Sequence, residues 1–229
     1  MKNKTKDTLT IAIPKGRILD EAAAIFTAAG FDVSGARNDD RSLIFEDKKE
    51  CLKFMVLRAQ DVPTYVEYGA ADMGVAGKDV LAEQAKELYE PLDLGIGRCR
   101  MVVAEPKELR KRDNPERWTH IRVGTKYPEL TLKYFQKRGV QVEIIKLYGS
   151  IEVAPILGLS ERIVDLVETG ETLKQNGLVE VDCIMEVTSR LVCNRASLKT
   201  KPKRVKEVID RLSGAVSGKT GKNGKSGKK

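Results

Sequence analysis

The sequence predicts an α/β fold, and three observations carry that expectation. Short apolar runs alternate along the chain with longer segments whose apolar residues fall at helical spacing, the pattern that βαβ units produce. Hydrophobic residues make up 41% and charged residues 32%, the balance of a globular chain and not of a disordered one. The 229 residues suit one large domain or two small ones, with core enough to need no disulfide or metal staple.

Leu9–Ile13 reads as a buried strand, Pro14–Arg17 as a turn, and Ile18–Ala29 as a helix stopped by Gly30, with Leu19, Ala22, Ala23, Ile25 and Phe26 on one side. Ser42–Phe45 and Lys53–Leu57 alternate like the strands of a hairpin. Asp61 is placed to cap a helix through Val62, Pro63, Tyr65 and Val66 that Gly69 terminates. Asp72–Ala76 is a small-residue strand, Asp79–Lys86 a short helix and Arg98–Ala104 another strand. The polar stretch Glu105–Thr119 reads as a boundary or as a surface helix with a loop. A second series follows: strand Ile121–Gly124, helix Glu129–Arg138, strand Val142–Ile145, helix Ile151–Leu157, strand Ile163–Val167, and a helix opening at Thr172–Asn176. Val179–Val187 and Arg190–Asn194 are strands, and residues 202–212 a last helix with Val205, Val208, Ile209 and Leu212 on one side. The sheets are expected to be mostly parallel, and no repeat of fixed period is present.

Composition excludes several functions. The formal charge is +8, but residues 218–229 hold five lysines and no acid, and residues 1–7 hold three lysines and Asp7, so only +1 remains on 8–217. The excess sits in two polar ends that read as disordered. Aromatics are 5%, and no basic stripe with interleaved aromatics suggests nucleic acid. The single His120 rules out a site with two His ligands within one chain and leaves no convincing triad. Cys51, Cys99, Cys183 and Cys193 form no C-x-x-C pair and read as thiols of a reducing compartment. Leu9–Ile13 is too short for a leader, and no run suits a membrane helix, so the chain reads as cytoplasmic, with no membrane partner.

Five segments are candidates for chemistry. In Arg162–Leu173, RIVDLVETGETL, an apolar strand carrying Asp165 turns through Thr169-Gly170-Glu171-Thr172 into a helix. Unpaired helix N-terminal amides hold phosphate, Gly170 permits close backbone approach, and Asp165 is placed to accept from ribose hydroxyls, so the segment suits a ribose 5-phosphate. A strand–turn–helix with Thr merely capping reads equally well. In Ile11–Arg17, Lys15 and Arg17 flank Gly16 at a strand-to-helix turn; a solvated basic turn is the plainer alternative. Arg58 and Asp61 follow a strand's carboxyl end, the edge where open α/β sheets bind ligands. Gly74 and Gly77 permit either approach to a flat ligand or tight packing of a central strand. Glu152 falls in the first turn of a helix that Gly149-Ser150 caps.

Together, Glu152, Gly158-Leu159-Ser160, Ile163-Val164-Asp165-Leu166 and Thr169-Gly170-Glu171-Thr172-Leu173 resemble the signature of the ATP phosphoribosyltransferase family. The segments IAIPKGRILDEA, VLRAQDVPTYVEYGAADMGVAGKDVL, GIGRCRMVVA and VTSRLVCNRASLK resemble family segments in family order, over about residues 9–213. The resemblance implies the first reaction of histidine biosynthesis, transfer of phosphoribose from 5-phosphoribosyl 1-diphosphate to adenine N1 of ATP, with Mg2+ on the diphosphate. It implies two lobes like a type II periplasmic binding protein, with the active site in the inter-lobe cleft. Lobe I is then 1–104 plus 187–213, lobe II is 105–186 with the phosphoribosyl-binding loop, and 214–229 is a disordered Gly/Lys tail. It gives Asp165, Glu168, Thr169, Gly170, Glu171, Thr172 and Leu173 to phosphoribosyl diphosphate, Gly16, Arg58, Asp61, Gly74 and Gly77 to ATP, and catalytic roles to Lys15, Arg17 and Glu152. It leaves the magnesium ligands unassigned. Long-form members carry a further histidine-binding domain, and the length here resembles the short form, which works with a regulatory subunit like histidyl-tRNA synthetase. The other large phosphoribosyltransferase class has two adjacent acids before its phosphate loop, whereas here Leu166 follows Asp165. A non-catalytic solute-binding protein of the same architecture is the main rival, and a nucleic-acid-binding role for the basic tail is the second.

Overall fold

The computed structural model describes residues 7–37, 42–111, 114 and 117–223. In chain order its elements are β1 (Leu9–Pro14), α1 (Arg17–Ala28), β2 (Ile44–Asp47), β3 (Leu52–Leu57), α2 (Val62–Glu67), β4 (Met73–Gly77), α3 (Lys78–Gln84), β5 (Tyr89–Asp93), β6 (Cys99–Pro106) and α4 (Lys107–Arg110). There follow β7 (His120–Thr125), α5 (Pro128–Gln136), β8 (Gln141–Lys146), α6 (Val153–Ile156), β9 (Arg162–Val167), α7 (Glu171–Gln175), β10 (Leu178–Val187), β11 (Ser189–Cys193), α8 (Arg195–Thr200) and α9 (Pro202–Asn223). The chain divides into two compact units, one of Met1–Leu81, Ala85–Gly97 and Thr188–Lys229, the other of Ala82–Gln84 and Arg98–Val187.

The first unit is built on a six-stranded sheet ordered β2-β3-β1-β4-β11-β5. Its core gathers Leu9, Ile11 and Ile13 of β1 with Ala22, Phe26 and the apolar stripe of α9. Phe26 meets Phe54 edge-on at 5.5 Å, the geometry the ring quadrupoles favour. A polar hub fastens the chain's return: buried Asp72 accepts from Thr10 N (2.9 Å), Ser197 Oγ (2.6 Å) and Lys201 Nζ (3.0 Å), tying β1, α8 and the start of α9 to one carboxylate.

The second unit carries a five-stranded sheet ordered β10-β6-β9-β7-β8. Alternation splits its strands between two faces: Met101, Val103, Val123 and Val164 pack with Phe135, while Val102, Ala104 and Ile163 pack with Ile151 and Leu173. A buried ion pair joins adjacent strands, with Arg162 Nε donating to Glu105 Oε2 at 3.0 Å and the guanidinium 3.9 Å over Trp118.

Several expectations are corrected. Of the nine strand pairings among the described residues, only β1–β3, β1–β4, β7–β8 and β7–β9 are parallel, so the sheets are mixed. Arg98–Ala104, expected in lobe I, forms β6 and pairs with β9 and β10 in the second sheet. Of the two readings of Glu105–Thr119, the surface helix with a loop holds and the boundary does not: Glu105 is wholly buried in β6, α4 follows with no buried residue, and residues 112, 113, 115 and 116 lie outside the described residues. Asp61 stands at the N-cap of α2 in an α-region conformation, and its side chain makes no capping bond. β5 and α8 were not foreseen. The expected tail begins too early, because α9 continues to Asn223 and Ala215 and Val216 pack on the core. The two basic ends, 1–6 and 224–229, lie outside the described residues.

Candidate active site

In the second unit, β7, β8 and β9 run parallel, so the segments after their carboxyl ends share one sheet edge. After β9 the chain turns through Glu168–Gly170 into α7. Gly170 has φ +83°, a left-handed conformation that side chains other than Gly resist, which explains the residue at this turn. Thr169 Oγ1 accepts from Glu171 N at 3.4 Å, so this hydroxyl also shapes the turn. A concavity of about 260 Å³ is lined by Glu152, Asp165, Leu166, Val167, Glu168, Thr169, Gly170, Thr172 and Leu173.

Every residue predicted for phosphoribosyl diphosphate lines this concavity except Glu171, which is exposed. Glu152, predicted from a different segment, joins them from just before α6. Asp165 is half-buried, and Leu166 N donates to its Oδ1 at 2.8 Å. Burial pushes its carboxyl above the ordinary aspartate value, and the charge of Glu152 adds to this, while the Leu166 amide and the Lys126 cation oppose it. Lys126 follows the carboxyl end of β7 and was not singled out from the sequence; its position after an apolar strand was the available signal. Arg100 of β6 was also missed. It reaches the loop from behind, donating Nη1 to the Glu168 carbonyl at 3.2 Å.

The second group of candidates gathers in the first unit. β3, β1 and β4 are adjacent and parallel, with Pro14 opposite Leu57 and Ala12 opposite Gly74. Lys15–Arg17 and Arg58–Asp61 therefore follow the carboxyl ends of β1 and β3, Gly77 closes the neighbouring β4, and Lys15 N extends the ladder to Leu57 O at 2.8 Å. Gly16, at φ +83°, makes the turn into α1. Arg17 is half-exposed and lies 3.4 Å from Glu21 one turn on, and Glu21 in turn accepts from Gly97 N at 2.9 Å. Arg58 and Asp61 are exposed. Gly74 stands apart: a Cβ there would lie 2.8 Å from both Val62 and Val66, so the close approach it permits is that of α2. A Cβ on Gly77 would strike the Asp79 carboxylate at 2.2 Å.

Among the described residues no cluster of three or more His, Cys, Asp or Glu is placed to hold a metal ion, and no helix is long and apolar enough to cross a membrane.

Comparison with known proteins gives a concordant result. A family model described as "HisG: ATP phosphoribosyltransferase" matches residues 58–214. The ATP phosphoribosyltransferase of Geobacter metallireducens is 62% identical over 206 residues, which cover 90% of this chain and 97% of the relative. That of Caldanaerobacter subterraneus subsp. tengcongensis is 50% identical over 212 residues, covering 93% and 99%. Among solved structures, a chain of the "ATP phosphoribosyl transferase (HisG:HisZ) complex from Thermotoga maritima" matches with a TM-score of 0.78 and 36% identity, over 92% of this chain and 99% of that one.

Proposed function

This chain belongs to the ATP phosphoribosyltransferase family, and we propose from that premise how its residues carry the reaction. The enzyme, a glycosyltransferase, moves the phosphoribosyl group of 5-phosphoribosyl 1-diphosphate to N1 of the adenine of ATP, giving phosphoribosyl-ATP and pyrophosphate, the first step of histidine biosynthesis. Its fold is of the type II periplasmic-binding kind.

The observation that carries the assignment of residues is the convergence of Asp165, Glu152 and the 168–173 loop on one concavity. The loop, turned by Gly170, holds the 5-phosphate with main-chain amides and the Thr169 and Thr172 hydroxyls. Asp165 accepts from the ribose hydroxyls, which requires it ionised. Glu152 lies beside it, where positive charge develops at ribose C1 as pyrophosphate departs. Adenine N1 already offers a lone pair at neutral pH, so positioning and electrostatic stabilisation supply the catalysis, and neither a nucleophile nor a histidine is required. In the first unit, Lys15 and Arg17 bind phosphate oxygens, with Gly16, Arg58, Asp61 and Gly77 on the same edge serving ATP. Gly74 supports that edge through α2.

Glu152 and Asp165 are hard oxygen donors on a shared concavity, and with no larger acidic cluster among the described residues they fit an ion held chiefly by substrate oxygens. Magnesium bound there would neutralise charge on the leaving pyrophosphate. The Thermotoga complex supports a regulatory partner like histidyl-tRNA synthetase for this chain, as the short form requires. Four free cysteines suit the cytoplasm. The test is product formation: ATP and 5-phosphoribosyl 1-diphosphate with this chain and its regulatory subunit should raise the ultraviolet absorbance of phosphoribosyl-ATP. Binding of both substrates without product would favour a solute-binding role and sink the assignment.

A further inference from the structure

The 168–170 turn is supported from behind by a pair of charged side chains on the two strands beyond β9. Arg100, in β6, lies opposite Val167 of β9 on one side and Glu186 of β10 on the other. Its guanidinium makes three bonds to two partners. Nε donates to Glu180 Oε2 at 3.0 Å, Nη2 donates to Glu180 Oε1, and Nη1 donates to the main-chain oxygen of Glu168 at 3.2 Å. Glu180, in β10, is held by two parallel bonds, the fork geometry that fixes a guanidinium in one plane. A guanidinium keeps its charge throughout, and the pairing with Glu180, with Glu186 nearby, raises the Arg100 pKa further. The same pair sits against the turn glycine: a Cβ on Gly170 would come within 3.5 Å of Glu180 Oε1 and 3.9 Å of Arg100 Nη2.

We infer that Arg100, oriented by Glu180, is a positioning residue that fixes the phosphate loop by gripping the Glu168 carbonyl. The inference rests on the reading of that loop as the cradle for the 5-phosphate. The grip acts on a carbonyl, so its effect on substrate is indirect. Holding the Glu168 oxygen turned back towards β6 fixes the orientation of the peptide that follows, whose amide belongs to Thr169 on the concavity. A lysine cannot reproduce this, because its point charge lacks the planar fork that meets Glu180 and Glu168 together.

The experiment compares the full chain with Arg100→Ala, Arg100→Lys and Glu180→Gln. It measures binding of 5-phosphoribosyl 1-diphosphate alone by titration calorimetry, KM for each substrate in the product assay, and the melting temperature. Misplacing the loop in Arg100→Ala should weaken binding of this substrate about tenfold and raise its KM alike, with KM for ATP moving by less than about twofold. Arg100→Lys should recover little of the loss. Glu180→Gln should shift the same constants in the same direction by a smaller factor, because an amide still accepts one of the two bonds. Unchanged or tighter binding in Glu180→Gln overturns the inference, since Arg100 would then act on phosphate directly. Full recovery by Arg100→Lys overturns it too, as would an equal rise in both KM values. Should Arg100→Ala fail to fold, the lysine and Glu180→Gln variants decide alone. A wild-type chain that binds no 5-phosphoribosyl 1-diphosphate overturns the phosphate-loop reading itself, whereas wild-type binding with an indifferent Arg100→Ala removes only the positioning role.

Discussion

In the role proposed for it, Asp165 would serve binding at the expense of the fold. Its carboxyl is held above the ordinary aspartate value of 3.8 by burial and by Glu152, so the folded chain favours the neutral form more than the unfolded chain does. The sign follows: stability falls as pH rises from the unfolded-state pKa through the higher folded-state pKa, and the cost disappears in acid where both states are protonated. Asp165→Asn should therefore raise the melting temperature at neutral pH, show no advantage at acid pH, and raise KM for 5-phosphoribosyl 1-diphosphate. Calorimetry at both pH values checks this, and a lower neutral-pH melting temperature would refute it. For the wild-type enzyme, this KM should climb on the acid side at a higher pH than an unperturbed aspartate would give. Arg17 behaves differently. Its contact with Glu21 is a half-exposed pair worth about 0.2–1 kcal/mol, so its loss should barely touch stability. Arg17→Ala should keep its melting temperature within a few degrees and lose more than about tenfold in turnover, the effect of removing a charge from the leaving group's surroundings. Undiminished turnover would remove Arg17 from the mechanism.

At the scale of elements, α9 gives the clearest test. Its apolar stripe of Val205, Val208 and Leu212 is fully buried, and Ala215 and Val216 continue it onto the same core. Deleting residues 214–229 should lower stability by about 1 kcal/mol through that lost burial, read as a shift of the denaturation midpoint; an unchanged midpoint would restore the view of a tail beginning at 214. The sequence hid this because glycines and lysines surround those two apolar residues, and composition outweighed spacing. β5 was hidden for a related reason: Tyr89-Glu-Pro-Leu-Asp contains a proline and two acids, which only an edge strand tolerates. β6 was seen as a strand but given to the wrong lobe, since strand partners depend on contacts distant in sequence. The candidate site was more legible, because strand, turn glycine and threonines are adjacent in the chain. Arg100 and Lys126 were not, for their relevance appears only when separate strands are brought side by side.

For the whole molecule, charge and length set the expectations. The formal +8 is concentrated near the two ends, so the phosphate binding proposed above would rest on a few placed cations and main-chain amides, not on a general positive field. With the regulatory subunit proposed above, turnover of the chain alone should be low and should rise when that subunit is added, and histidine should inhibit the assembly but not the isolated chain. Strong histidine inhibition of the isolated chain would contradict this. The interleaving of the two units has another effect. In the first sheet β11 lies between β4 and β5, antiparallel to both, and among the described residues β5 has no other strand neighbour. The second sheet is complete by Val187, before any of β11 has been made. On the ribosome, the later-encoded unit therefore closes its sheet first, against the usual N-terminal-first order. Until Ser189–Cys193 emerges, the nascent chain carries an open edge on β4, an invitation to mispairing that outlasts the making of the whole second sheet.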